Sequence, residues 1–415
     1  MNATINSMKK KAYEPSQKVL KNYANVLVNF ALNSGKGIKK GEVVQITVNE
    51  CAKPMYVELR RAIWKAGGHV IAQYVPDDDE RFKIQRDFFD YASDEQIRFF
   101  PAKYTRGVID EIDHSIIILS DTDVNALQGI NPKKMMMRGE AFKPYKEWRN
   151  EKENKGRFTW TLALYGTEAM AKEAGLSLRE YWRQIENACF LNEKDPIGKW
   201  REVVGQTERI RRKLNALDIG KLHIKGPDAD LWISLGEKRR WAGGSGRNIP
   251  SFELFTSPDW RGTEGWIRFN QPLYRYGTII KGIELHFKGG RVVKSSAKEN
   301  EKVLKEMIAT PNAEKVGEYS LTDKRHSRIT KFMAETLFDE NMGGPYGNTH
   351  LALGSSYHDC FTGKPSLMKK KDWAHLGFND SSVHTDIIST APRTVTAYLK
   401  NGKTTVIYKD GMFAI

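Results

Sequence analysis

The chain has 415 residues, too many for one ordinary hydrophobic core, so two domains are expected. Hydrophobic residues make up 40% and charged residues 28%, the balance of a soluble globular protein. The net charge of +15 raises the question of nucleic acid. The basic residues, however, form only short scattered clusters at Lys9–Lys11, Arg209–Lys213, Lys238–Arg240 and Lys369–Lys371. None interleaves with aromatics or shows finger or helix-turn-helix spacing, so they read as solvated surface. A basic nucleic-acid-binding protein is therefore the weaker reading. Three cysteines (Cys51, Cys189, Cys360), odd in number and far apart, exclude a disulfide framework and a cysteine zinc site, and suit a reducing, cytoplasmic setting. The N-terminal stretch lacks the apolar core of a signal peptide, and no window reaches the roughly 18 apolar residues of a membrane span.

In chain order, the first half alternates strands and helices. Lys40–Glu50 is rich in β-branched residues and predicts a buried strand. Lys53–Gly68, with proline at its start and glycines at its end, predicts a helix. Strands are expected at His69–Val75, Ser115–Ser120 and Phe158–Leu164, then helices at Glu168–Ala174, Ser177–Phe190 and Asp195–Lys213. The Met135–Met137 run reads as part of a buried helix. This alternation predicts an N-terminal α/β domain, a mostly parallel sheet flanked by helices.

Beyond residue 215 the texture changes to short strands separated by Gly, Pro and Asn. They are expected at Lys221–Ile224, Ala229–Leu235, Trp266–Phe269, Ile279–Phe287 and Gly290–Ser295, with helices at Lys298–Ile308 and Ser327–Phe338. The expected organisation is residues 1–215 as the α/β domain and 216–415 as a C-terminal α+β catalytic domain.

The chemistry concentrates in that second half. Six of the nine histidines (His286, His326, His350, His358, His375, His384) lie between Glu253 and Asp386. Taken singly the acids and histidines are weak signals: an acid such as Glu253 or Glu318 on a half-buried strand ordinarily faces solvent. His350 alternates with Leu351 and Leu353, which puts it on one face with Ala352 and Gly354, and the small neighbours leave room for a ligand. His384 and Asp386 project from one face of an extended segment. Together, carboxylates and imidazoles on short strands are the donor set of a borderline divalent metal such as zinc, cobalt or manganese. No HExxH helix or GxSxG elbow is present. The Gly243–Arg247 run, GGSGR, lacks the Lys-Ser/Thr of a P-loop and reads as a turn into Asn248–Pro250. Composition and spacing reach a metal-dependent hydrolase, with amide and phosphate-ester chemistry both open.

The motifs N-I-P-S-F-E-L-F-T-S-P (Asn248–Pro258), G-E-Y-S-L, F-D-E-N, H-L-A-L-G and N-D-S-S-V-H-T-D, in that order, resemble the aminopeptidase T, aminopeptidase S and PepS family of metallo-aminopeptidases. The stretch TWTLALYGTEAMAKEAGLSLREYW followed by DPIGKW (Asp195–Trp200) extends the resemblance into the first half. It implies release of N-terminal residues from peptides with a free N-terminus, by water activated between two divalent metal ions. It also implies a homodimer. Carried over by position, it makes Glu253, Glu318, His350, His384 and Asp386 metal ligands, with Glu318 bridging, and Tyr357 a hydrogen-bond donor to the oxyanion. Glu340 in F-D-E-N is a further ligand or a carboxylate just behind the ligands. One departure stands out. The segment MGGPYGNT between F-D-E-N and His350 is longer than the family pattern; it is expected to bulge as a loop without moving His350, and it weakens the assignment of Glu340.

Overall fold

A computed structural model describes residues 13–79, 81–244 and 246–415; Lys9–Lys11 and Ser245 of the GGSGR run lie outside them. Four strands come first: β1 (Val43–Asn49), β2 (His69–Val75), β3 (His114–Leu119) and β4 (Thr159–Leu164). All pair in parallel, with β1 between β2 and β3, and β3 beside β4. Val44, Ile46 and Val48 alternate inward on β1, as Ile116 and Ile118 do on β3, and join a core built with the flanking helices. Those helices start where the sequence says they should. Pro54 opens Lys53–Lys65, a Ser177/Glu180 capping box opens Leu178–Ala188, and the Asp195 side chain caps Pro196–Ala216.

The 21-residue helix Pro196–Ala216 leads to β5 (Ile219–Gly226) and β6 (Ala229–Ser234). The chain then returns to the parallel sheet with β7 (Asn248–Ile249), which pairs with β4 at Leu162 and Ala163. The fifth strand of the parallel sheet thus comes from the N-I-P motif. Next follow β8 (Glu253–Thr256), β9 (Asp259–Arg268), the ribbon of β10 (Leu273–Arg275) and β11 (Thr278–Ile280), β12 (Glu284–Lys288) and β13 (Arg291–Ser296). The last strands are β14 (Val316–Thr322), β15 (Asn348–Gly354), β16 (His384–Ser389), β17 (Thr394–Leu399), β18 (Thr404–Lys409) and β19 (Met412–Phe413). They build an eight-stranded antiparallel sheet, ordered β13-β12-β9-β6-β5-β17-β18-β19, and a four-stranded one, β16-β15-β14-β8. The fold is the expected α/β architecture, a helix-flanked parallel sheet followed by antiparallel sheets.

Three expectations are corrected. Ser327–Phe338 is not a helix; only Thr336–Asp339 is helical. Ile329 and Met333 are buried in the first core, and backbone donors of the segment find side-chain acceptors instead of helical carbonyls. Thr330 N–H donates to Gln184 Oε1 at 3.0 Å, and Met333 and Glu335 N–H donate to the Asp339 carboxylate at 2.7 and 3.1 Å. Ile279–Phe287 is two strands, because β11 pairs only with β10 while β12 pairs with β9 and β13. The Met135–Met137 run does lie in a helix, Pro132–Ala141, but none of that helix's residues is buried.

The entry to β8 is pinned by aromatic packing. Phe252 stacks on Trp200 with ring centroids 5.5 Å apart and planes 16° from parallel, and its N–H donates to Asn341 Oδ1 at 2.7 Å. Strand alternation then sends Glu253 to the opposite side. Phe252→Ala is expected to destabilise the fold by about 3–5 kcal/mol, read from the denaturant midpoint.

Candidate metal centre

The four-stranded sheet has one apolar and one polar face. Leu254, Tyr319, Leu321, Leu351, Leu353 and Ile387 point into the second hydrophobic core. The alternate positions, Glu253 on β8, Glu318 and Ser320 on β14, His350 and Ala352 on β15, and His384 and Asp386 on β16, share the other face. Register brings them side by side. Ala352 lies opposite both Glu318 and Asp386, so a single methyl group separates two carboxylate-bearing strands and leaves the space between them open. Glu340 arrives from outside the sheet, at the end of the helix Thr336–Asp339, and lines the same cavity. The MGGPYGNT segment bulges at Gly344, Pro345 and Tyr346, which are exposed, and His350 stays in register on β15.

Donor atoms converge in three overlapping sets, each within 4.8 Å: Glu253, Glu318 and His350; Glu318, His384 and Asp386; Glu340, His350 and Asp386. The two oxygens of Glu318 face different imidazoles, with Oε1 3.5 Å from His350 Nε2 and Oε2 3.4 Å from His384 Nε2. His350 Nε2 also lies 3.2 Å from Glu253 Oε2 and 3.8 Å from Asp386 Oδ1, and His384 Nε2 lies 3.4 Å from Asp386 Oδ1. Tyr357 stands over this group, its ring centroid 4.7 Å from that of His384. The cavity they line, about 40 Å³, also has Trp160, Gly243 and Arg247 in its wall. That volume accepts a few water-sized occupants and no side chain. Gly243 (φ +136°) is required there, since a Cβ would lie 2.3 Å from the Glu253 carbonyl oxygen.

The electrostatics are those of a site short of positive charge. Glu253, Glu318, Glu340, His350 and Asp386 are all at most 9% exposed. Among the described residues no lysine or arginine forms an ion pair with any of the four carboxylates, whose only such partners are the two histidines. Burial drives the Glu340 carboxyl well above its ordinary range, reinforced by the charges of Glu253 and Asp386. Burial raises Glu253 as well, with His350 opposing. For the imidazoles burial works downward, but the surrounding carboxylates outweigh it and hold His350 and His384 well above the usual histidine range. Burial also pushes Asp386 upward, yet the His384 charge brings it down to about 2. Tyr357 is raised well above the ordinary tyrosine range, by burial first and then by the acids, so it holds its proton as a donor.

Sequence reading missed the side chains that orient these groups. Ser320 Oγ donates to Glu253 Oε2 at 2.7 Å, and Asn248 and Asn341 Nδ2 both donate to Glu340 Oε1, at 2.9 and 3.3 Å. His384 Nδ1 lies 2.8 Å from the Ser355 carbonyl oxygen, which can only accept, so the neutral ring keeps its lone pair on Nε2, inside the site. Asn248 and Asn341 sit in the N-I-P and F-D-E-N motifs, the one signal available. Of the six clustered histidines only His350 and His384 enter the site. His286 pairs with Glu284, and His358 stacks on Trp373 at 3.8 Å, where burial lowers it to about 4. Arg247 of the GGSGR run is engaged by Glu153 and Asp359.

The sequence profile of the thermophilic metalloprotease (M29) family matches residues 16–413. The chain belongs to this family. The likeness read from its motifs thus extends over nearly the whole chain. Among M29-type relatives, aminopeptidase PepS of Streptococcus thermophilus is 28% identical over 428 residues, covering 95% of this chain and 98% of that protein. Aminopeptidase T of Thermus thermophilus is 27% identical over 414 residues, covering 94% and 98%. The solved wild-type AmpT of Thermus thermophilus shares the fold, with a TM-score of 0.81 at 24% identity over 96% of this chain and 100% of that one. A metalloprotease requires a metal centre, and the buried carboxylate–imidazole cluster has the donor chemistry for divalent cations.

Because His350, His384, Glu253 and Glu340 all hold protons more firmly than usual, a cation entering this site has to displace protons. Affinity for divalent metal is expected to rise with pH through neutrality. Calorimetric titration in buffers of different ionisation enthalpy should show net proton release; metal uptake without proton exchange would contradict the crowded site described above.

Proposed function

We propose that this M29 protein is an aminopeptidase that releases the N-terminal residue from peptides with a free amino terminus, using two divalent cations of the zinc, cobalt or manganese type. The observation that carries the two-ion reading is the placement of the Glu318 oxygens toward different histidines, which suits one carboxylate shared by two cations. Glu253, His350, His384 and Asp386, with Glu318 among them, would hold the cations. When bound, such cations acidify water and polarise a carbonyl.

The chain's own groups do the rest. Ser320 and Ser355 fix the faces of Glu253 and His384. Glu340 is anchored through Oε1 by two asparagine amides, so Oε2 is the oxygen available to hold the proton that passes from the attacking water to the leaving amine. The Tyr357 hydroxyl donates to the oxygen of the tetrahedral intermediate, a contribution on the order of 3 kcal/mol. Burial of these side chains limits their contact with bulk water, which strengthens each of these interactions.

In this reading residues 1–215 form one unit and 216–415 the unit that carries the metal centre. The enzyme works in the cytoplasm as a homodimer. The free cysteines Cys51, Cys189 and Cys360 suit a reducing compartment. The exposed Trp64, Tyr91, Phe99 and Tyr104 offer apolar surface for association. Among the described residues no helix is long and apolar enough to cross a membrane.

Exhaustive chelation is expected to abolish cleavage of aminoacyl p-nitroanilides, with activity returning on metal addition, and N-acetylated peptides are expected to resist. Undiminished activity after chelation, or cleavage of blocked peptides, defeats the proposal. Glu318→Gln should lose turnover while remaining folded by circular dichroism. Tyr357→Phe should lower kcat by about 10²–10³-fold with little change in KM.

A further inference from the structure

A second cavity, about 260 Å³, lies on the other side of the His384–Asp386 pair. It shares those two residues with the metal cavity and is otherwise walled by Tyr274, Arg275 and Tyr276 of the β10–β11 ribbon and by Glu335, Thr336 and Thr385. The metal cavity offers about 40 Å³ and its neighbour about 260 Å³, which makes the neighbour the roomier place for a substrate group. The ribbon is held in place by the Tyr274 hydroxyl, which donates to the Val124 carbonyl, so the wall it forms is tethered to the first half of the chain.

The Arg275 guanidinium lies over the Tyr276 ring, 5.0 Å from its centroid, and has no carboxylate partner among the described residues. Arg275 makes no ion pair and no side-chain hydrogen bond among the described residues, and its Nε is buried without a partner. A buried guanidinium N–H without an acceptor is costly, and native structures rarely leave one so. Glu335 lines the same cavity yet does not pair with Arg275 among the described residues; its carboxylate accepts a long bond from Leu337 N–H, at 3.4 Å. The Thr385 hydroxyl, on the same wall, is also buried and unpartnered. The Arg275 charge reaches Asp386 and Glu335, so a group docked on it lies next to the metal centre. A planar guanidinium fork, half-buried and without an internal acceptor among the described residues, matches a carboxylate.

We propose that Arg275 is a specificity residue that docks a substrate carboxylate in this cavity, resting on the aminopeptidase reading above. Two sources present that group: the C-terminal carboxylate of a dipeptide and the acidic side chain of an N-terminal Asp or Glu. In either case Arg275 binds the carboxylate, and Glu335, which burial raises to about 7, opposes it by like charge to the extent that it is ionised, so the two residues act with opposite sign.

The test compares the metal-loaded wild type with Arg275→Gln, Arg275→Lys and Glu335→Gln on two substrate pairs: Leu-Gly against Leu-Gly amide, and Glu p-nitroanilide against Gln p-nitroanilide. The wild type is expected to prefer the acid of one pair, and the pair identifies the source. Arg275→Gln should raise KM for that acid by ~10-fold or more and erase the preference over its neutral partner. Arg275→Lys should keep part of the preference, and Glu335→Gln should lower KM for the acid. No preference in the wild type for either acid, or equal losses on acid and neutral substrates in Arg275→Gln, overturns the proposal. Calorimetric binding of both substrate pairs to metal-free protein reads the contact without turnover. If no substrate is cleaved but the Arg275-dependent preference persists in binding, the aminopeptidase reading fails and the carboxylate site stands; if the preference is missing there too, both fail.

Discussion

Four carboxylates and two imidazoles share one buried site built on a four-stranded antiparallel sheet, and among the described residues no lysine or arginine forms an ion pair with them. An ionised carboxylate taken out of water is unfavourable by several kcal/mol unless something compensates it. Here the compensation comes from protons held on Glu340, Glu253 and the histidines, or from cations that replace those protons. The donors from Ser320, Asn248 and Asn341, the methyl-sized gap at Ala352 and the small cavity all make sense as responses to that concentration of charge.

The rest of the fold keeps the cluster rigid. Because alternate residues of a strand point to opposite faces, the same four strands that present the acids also drive Leu254, Tyr319, Leu321, Leu351 and Leu353 into a core. A shift of one residue in register would exchange those faces, so the apolar face specifies the polar one. Phe252 on Trp200 fixes where β8 begins, and Asn341 links that point to the segment bearing Glu340. The irregular stretch before Thr336–Asp339 also belongs to this support, since its buried Ile329 and Met333 lock it into the first core.

Much of the fold was legible because its signals are local. Strands β1 to β4 and the helices Lys53–Lys65, Leu178–Ala188 and Pro196–Ala216 carry their own periodicity and caps, and they lie close to where the sequence puts them. Ser327–Phe338 misled for a physical reason: its apolar residues have helical spacing, but side chains of Gln184 and Asp339, distant or non-helical in position, take its backbone donors. β7 escaped notice because a two-residue strand has no period; its partner β4 defines it.

At the site, the sequence by itself determined the donor types, their order and, through strand alternation, that His350 shares a face with Ala352 and His384 with Asp386. Those properties depend only on neighbours along the chain. The tertiary structure alone decided that Glu318 presents one oxygen to each histidine, that Glu340 enters the same cavity from beyond the sheet, and that four of the six clustered histidines stay out. It also decided that Arg275, unremarkable in its own segment, stands beside Asp386 with an unsatisfied buried nitrogen. The reason is that burial, missing partners and the meeting of charges are set by strand register and by which segments pack together across distances of many residues, and one chain read in order does not carry them.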